Sequence, residues 1–176
     1  MSDLIQGIKA KQKEMQARMN AAKTAFINES KGMFKEVCDE LFNALPELQS
    51  FGWSQYTPYF NDGDVCRFRA NVDELYINGW NASYESGEEP GYRSTYEIEK
   101  DIAKFKKLNK DDIVETLQKE LEEASLKEEA HNNLEKVVRE ALKCFKSSMF
   151  KELFNDHTVV TVNRDGTITQ EEYQHD

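Results

Sequence analysis

Three groups of residues in this chain are of types that can do chemistry. The first lies at the C-terminal end, where Thr161-Val162-Asn163-Arg164-Asp165-Gly166-Thr167-Ile168-Thr169-Gln170-Glu171-Glu172 follows an EF-hand loop at its third, fifth, sixth, eighth and twelfth positions. In that alignment Asn163 and Asp165 supply oxygens to calcium, Gly166 the sharp bend and Glu172 the bidentate closure. Three features weigh the other way. The first ligand position holds Thr161 rather than Asp, Val159-Val160 suits a strand rather than an entering helix, and four residues after Glu172 are too few for an exiting one. A β-hairpin with an Asp165-Gly166 turn explains the same residues without a metal, and is the simpler reading.

The second group is acidic. Asp62 and Asp64, with Asp73 or Glu74 nearby, are a carboxylate set of the kind that holds Mg²⁺ or works as general acid and base. As turn residues, Asp62 and Asp64 instead bond to their own backbone, and turn chemistry accounts for them without a substrate. The third group is aromatic and basic: Trp53, Tyr56, Tyr59, Phe60, Phe68, Tyr76 and Trp80, with Arg67 and Arg69 among them. Such residues anchor protein interfaces and stack on bases. They also fill the core of a small sheet-and-helix domain. A chain of net charge -10 carrying two arginines here is a poor electrostatic platform for nucleic acid.

The remaining reactive side chains form no pattern. Cys38, Cys66 and Cys144 have no C-x-x-C spacing, so a zinc site lacks support, and Cys38 and Cys144 fall near apolar stripes. His131, His157 and His175 lie far apart in the chain. No phosphate-cradling glycine loop and no G-x-S-x-G turn occurs, so no cofactor is expected.

The elements that must position these residues follow from periodicity. Over 3–45, Leu4, Ile8, Met15, Met19, Ala22, Phe26, Met33, Val37, Leu41 and Leu45 recur at spacings of three, four and seven, predicting one long helix. Pro46 marks its stop, and Asn28 to Gly32 is the place for a break. Unbroken, the rod spans roughly 60 Å and cannot bury its stripe against itself. It requires a second long helix or a second subunit, so a homodimer is expected.

Residues 51–80 change character. Trp53 to Phe60 and Val65 to Asn71 are predicted as antiparallel strands joined through Asn61-Asp62-Gly63-Asp64, with a third strand over Glu74 to Asn78. Pro58 places the first strand at an edge or a bulge. Residues 81–95 are predicted as a loop. Helix resumes over 96–154, with Asn109 to Asp112 capping a fresh helix and a kink between Leu121 and Leu134. The segment 157–172 is a second hairpin. The resulting expectation is a single α+β domain: two long antiparallel helices burying each other's stripes, with both hairpins merged into one small antiparallel sheet.

Composition bounds the function. Of the 176 residues, 39% are apolar and 32% charged, and 10 Phe, 7 Tyr and 2 Trp argue for a packed core. No run approaches a membrane span, the start lacks the apolar block of a secretory signal, and an odd number of dispersed thiols suits a reducing compartment. A cytoplasmic, acidic protein is expected. The charge is uneven: residues 1–35 carry a net +4, while 111–130 hold eight Asp/Glu against Lys119 and Lys127. Either these segments attract each other within the fold, or the basic one is a docking surface for an anionic partner.

The stretch Ser54-Gln55-Tyr56-Thr57-Pro58-Tyr59-Phe60-Asn61-Asp62-Gly63-Asp64 resembles a signature of uncharacterised bacteriophage and bacterial proteins. The tail Val160-Thr161-Val162-Asn163-Arg164-Asp165-Gly166, with Glu171-Glu172-Tyr173, is similar to the terminal element of the same group. The resemblance covers about a quarter of the chain and brings no activity with it. It implies a phage or bacterial origin, and with it a host cytoplasm and a host protein as partner. The function expected is therefore a non-enzymatic interaction module, a modulator or inhibitor acting through its helical stripes, its aromatic sheet or an acidic, DNA-like surface. The alternative is a small metal-dependent enzyme or nucleotide-binding protein built on Asp62 and Asp64.

Overall fold

The computed structural model describes residues 2–60, 62–79 and 93–174, in the order α1 (Ser2–Ala44), β1 (Ser50–Tyr56), β2 (Arg69–Ala70), β3 (Tyr76–Ile77), α2 (Thr95–Lys107), α3 (Asp111–Lys143), α4 (Ser147–Phe154), β4 (Thr158–Asn163) and β5 (Ile168–Glu172). The class is α+β, as expected. β1 pairs antiparallel with β4 from Ser50↔Asn163 to Gln55↔Thr158, and this ladder joins the two turn-linked ribbons into one sheet. β5 extends it beyond β4, while β2 and β3 both pair with β1 on its other edge.

The first ribbon differs from its expected form. Its strand is Ser50–Tyr56 rather than Trp53 to Phe60, and Val65 to Asn71 contributes only Arg69–Ala70. The reason lies in the backbone donors. Thr57 gives its N–H to Asp156 Oδ1 (2.8 Å) instead of to a ladder, and Pro58 has none to give. Asp62 and Gly63 have φ of 42° and 93°, conformations that end extended chain. The expected turn residue Asn61 lies outside the described residues, as do Trp80 and most of the 81–95 segment.

One face of the sheet is covered. Phe51 and Trp53 of β1 and Val160 and Val162 of β4 pack on Phe34, Cys38, Leu41 and Phe42 of α1, Leu134, Val138 and Leu142 of α3, and Met149, Phe150 and Phe154 of α4. The period-two alternation of β4 places Thr158, Val160 and Val162 inward. Trp53 is fully buried, its ring edge-on to Phe150 (5.2 Å) and Phe154 (5.5 Å), and its indole N–H donates to Gln55 Oε1 (3.0 Å). Gln55 in turn donates to the Phe150 and Asn155 carbonyls, so the polar atoms of this core are satisfied in a chain. Gly52 sits where the strands pinch: a Cβ there would lie 2.5 Å from the Val160 carbonyl oxygen.

A second cluster unites Ile98 and Ile102 of α2 with Val114, Leu117 and Ala124 of α3. Ser94 and Glu97 form a capping box at the start of α2, and Arg93 bridges Asp101 and Glu120 to fasten α2 on α3.

Several helical expectations change. The 96–154 segment is three helices, and α3 runs unbroken through the predicted kink; its buried stripe is continued there by Ala124 and His131, a small and a polar residue. Asn109 does not cap α3. With φ of 52° it ends α2, as a residue just past a helix C-terminus often does. α1, expected as one long helix, runs through Asn28 to Gly32 without a break. Above all, the two stripes do not bury each other along their length. The first half of α3 is covered by α2, and its second half and the last third of α1 are covered by the sheet and α4. From Leu4 to Phe26 the apolar residues of α1 stand in water.

Candidate interaction surface

The exposed part of α1 carries a seven-residue repeat. Ile5, Gln12, Met19, Phe26 and Met33 take one seam position (a), and Ile8, Met15, Ala22 and Glu29 the other (d), alternating every three and four residues. Met15 is 60% exposed, Met19 58% and Phe26 53%, with Ile5, Ile8 and Met33 in the same range. Scattered exposed Leu or Met is ordinary; a contiguous seam of them is not. The seam is flanked by Lys9, Lys11, Arg18 and Lys23.

The seam and the buried face of α1 are distinct. Ser30, Phe34, Cys38, Leu41 and Phe42 point into the head, whereas Met33, one residue before Phe34, remains 49% exposed on the seam. The helix thus turns one side to its own core and offers an adjacent side outward. Among the described residues, the ion pair joining the arm to the head is Lys23–Glu152 (2.8 Å), with α4. Glu14–Arg18 and Lys35–Asp39 lie within α1. The described ion pairs of the acidic 111–130 segment are Arg93–Glu120 and, within α3, Lys119–Glu115. The basic arm and the acidic segment are not paired with each other by these contacts.

A groove of about 320 Å³ opens where α1 meets β5, lined by Lys31, Phe34, Cys38, Leu153, Phe154 and Ile168 among others. Burial, followed by the neighbouring Asp39, pushes the Cys38 thiol up to about 12, so it packs as a small apolar group rather than as a nucleophile. β5 itself is exposed along its whole length.

The aromatic and basic candidates are dispersed. Trp53 is at the centre of the core. Tyr56, half-buried, meets Tyr173 with ring centroids 5.2 Å apart, and Tyr59 stacks on His157 at 4.8 Å. Arg67 is exposed in the loop and Arg69 on β2, across from Tyr56, whereas Tyr76 lies at the opposite end of the same edge, across from Gly52. No single platform collects them, and Trp80 lies outside the described residues.

Of the acidic candidates, Asp62 and Asp64 are exposed beside Gly63. Asp165 makes a side-chain turn: its Oδ1 accepts from Thr167 N (2.8 Å) and Thr167 Oγ1 (2.6 Å), which holds its carboxyl below the usual range. Asn163 accepts from Gly166 N through its carbonyl (2.9 Å) and donates its side-chain amide to Thr167 Oγ1 (3.1 Å). These are the bonds of a hairpin turn. Glu172 sits across from Thr158, five residues along β4 from Asn163, or roughly 17 Å away at ~3.4 Å per residue. Among the described residues, no group of three or more His, Cys, Asp or Glu is arranged to hold a metal ion.

One polar cluster has no counterpart among the sequence candidates. Asp156 is penalised by burial, yet hydrogen bonds from Lys151 Nζ, Thr57 Oγ1, Thr57 N and His157 N hold it down to about 2. It fastens the end of β1 to the entry of β4. The only sequence signal is an Asp between a helix and a strand, which also fits any turn.

No known protein family, no curated protein and no solved structure matches this chain. No described helix is long and apolar enough to cross a membrane.

Proposed function

We propose that this chain is a non-enzymatic protein-interaction module whose contact element is the projecting part of α1. One observation carries the reading: the seam from Ile5 to Met33 leaves six large apolar side chains about half exposed on a helix whose adjacent face already serves the core. A lone helix in water gains little from propensity, and most helical stability comes from packing an apolar face. A partner helix supplies that packing. The seam is narrow, and it includes Gln12 and Glu29. A broad, wholly apolar face would suit a lipid surface; this one suits another helix.

The resemblance to phage and bacterial proteins makes a bacterial lysate the medium for the test, with a host protein as one class of prey. Immobilised full-length chain is compared with the variant Ile8→Glu/Met19→Glu/Phe26→Glu, whose head should melt at the unchanged temperature. Proteins retained by the first and lost by the second, further copies of the chain included, are the expected result. Retention that ignores the substitutions, or none at all, overturns the reading.

A further inference from the structure

We infer that the occupant of the α1 seam is a second copy of this chain, laid antiparallel so that Ile8 faces Met33 of the second copy. The inference rests on the reading of the projecting helix as the contact element and names what it contacts.

The seam contains two polar residues, and they decide the geometry. In a helical pair a polar residue facing an apolar one is costly, so polar seam positions fix register and orientation. If Ile8 faces Met33 of the other copy in an antiparallel pair, then Met15 faces Phe26, Met19 faces Ala22, and Gln12 faces Glu29. Gln12 and Glu29 meet each other and large side chains meet small or flexible ones along the overlap from Ile8 to Met33; beyond it, at each end, Ile5 faces the exposed Glu36. The two-fold axis passes between Met19 and Ala22, which makes the interface isologous and closed. An in-register parallel pair does worse. It sets Glu29 against Glu29 in the seam and Arg18 beside Lys23 twice.

The flanks agree. The same antiparallel register places Lys11 near Gly32, Arg18 near Ala25 and Lys23, already paired with Glu152 of its own head, near Gln16 of the second copy, while Ser30, the position across from Lys9, is buried in the head. Lys11, Arg18 and Lys23 each meet an uncharged residue, although the isolated helix is strongly basic. Geometry also permits it: the seam from Ile8 to Met33 runs about 38 Å, and antiparallel pairing puts the two heads at opposite ends. The exposed seam residues present apolar area on the order of 700 Å², close to the ~800 Å² per partner of a stable interface.

The test uses the full-length chain in a Cys66→Ser/Cys144→Ser background, which leaves only the buried Cys38. Sedimentation should show a dimer that becomes monomer in Ile8→Glu/Met19→Glu/Phe26→Glu. Ile8→Cys and Met33→Cys chains are then treated with a short bis-maleimide, separately and mixed. Crosslinks that form in the mixture and in neither chain alone are expected. Self-crosslinking of Ile8→Cys shows a parallel pair and overturns the proposal. Gln12→Leu and Glu29→Leu should each leave one polar residue facing Leu, while the double variant associates about tenfold more tightly than either; additive effects count against the register. A monomer at every concentration, with lysate capture still dependent on the seam, overturns the second copy and leaves the contact element standing. A monomer without such capture overturns both.

Discussion

The two parts of α1 are one continuous helix placed in opposite circumstances. From Ser30 to Ala44 it lays Phe34, Cys38, Leu41 and Phe42 against a sheet, and these side chains are almost without solvent contact. From Leu4 to Phe26 the helix carries a comparable apolar stripe, yet nothing among the described residues covers it. Apolar periodicity alone does not distinguish a core stripe from a docking stripe. What separates them here is the flank: the buried part abuts Pro46 and the β1 entry, clamped by Asn78, whose amide holds Gln49 N (2.6 Å), Ser50 N (3.1 Å) and the Glu47 carbonyl (3.0 Å). For the exposed part, the ion pair to the head among the described residues is Lys23–Glu152. Stability should therefore reside in the head and association in the arm.

The sharpest way to break that division is to truncate the same kind of residue in each part. Trp53→Ala removes a fully buried ring from contact with Phe34, Phe150 and Phe154 and takes away the donor to Gln55 Oε1. It should cost about 3–5 kcal/mol, enough to unfold much of the head at room temperature, as read by urea denaturation. Met19→Ala, in the arm, should change the stability of the dilute monomer by less than ~0.5 kcal/mol. If Met19→Ala destabilises the dilute chain as much as a core truncation does, the arm is part of the head.

Gly52→Ala ranks next. The new methyl group would meet the Val160 carbonyl oxygen, a backbone atom that cannot rotate away, so β1 and β4 must separate. A loss of about 1–3 kcal/mol is expected, with weakened amide protection across the β1–β4 ladder. Ala at Gly32, where nothing lies nearby on an exposed helical surface, should instead stabilise by ~0.5–1 kcal/mol.

Asp156 sharpens the comparison through pH. Its folded carboxyl titrates at about 2, below the ~3.9 of an unfolded chain, so its contribution is complete above pH ~4 and is lost as pH falls through 2. Partly exposed, it should be worth about 1–2 kcal/mol. Asp156→Asn should lower stability at neutral pH by that amount and flatten the acid limb between pH 4 and 2. An unchanged acid limb would show that the Thr57 and Lys151 contacts do not hold the sheet.

How much of this was legible in the residues follows a physical pattern. The α+β class, the length of α1 and the β4–β5 hairpin are written in local signals: apolar spacing, Pro46, and Asp165-Gly166 between alternating residues. The joining of the two ribbons follows from the instability of a lone hairpin in water. What could not be read was long-range. Thr57 belongs to the Asp156 side chain rather than to a strand, and that contact spans 99 positions. The covering of α3 by α2 rather than by α1 depends on which of several apolar faces compete best. A Trp in a short aromatic stretch suits a core first and an interface second, and only its neighbours decide between them. The candidate seam was visible as a stripe, but its exposure was not.

His131 offers the finest comparison, because it lies where the α3 stripe seemed to fail. It is buried on the same face as Leu134 and Val138, and burial pushes its imidazole below the usual value, with Glu135 opposing. The fold thus favours the neutral ring. The stability this implies is present above the unfolded value near 6.5 and is lost as pH falls from there through the lower folded value. The unmodified chain should weaken over that window, well before Asp156 titrates. His131→Leu keeps a side chain of similar size and removes the titration, so its urea midpoint should stay level from pH 7 to 5 while that of the unmodified chain declines. Equal slopes in the two proteins would mean that protonated His131 finds a counter-charge, and the stripe would then be polar at its middle by design rather than by tolerance.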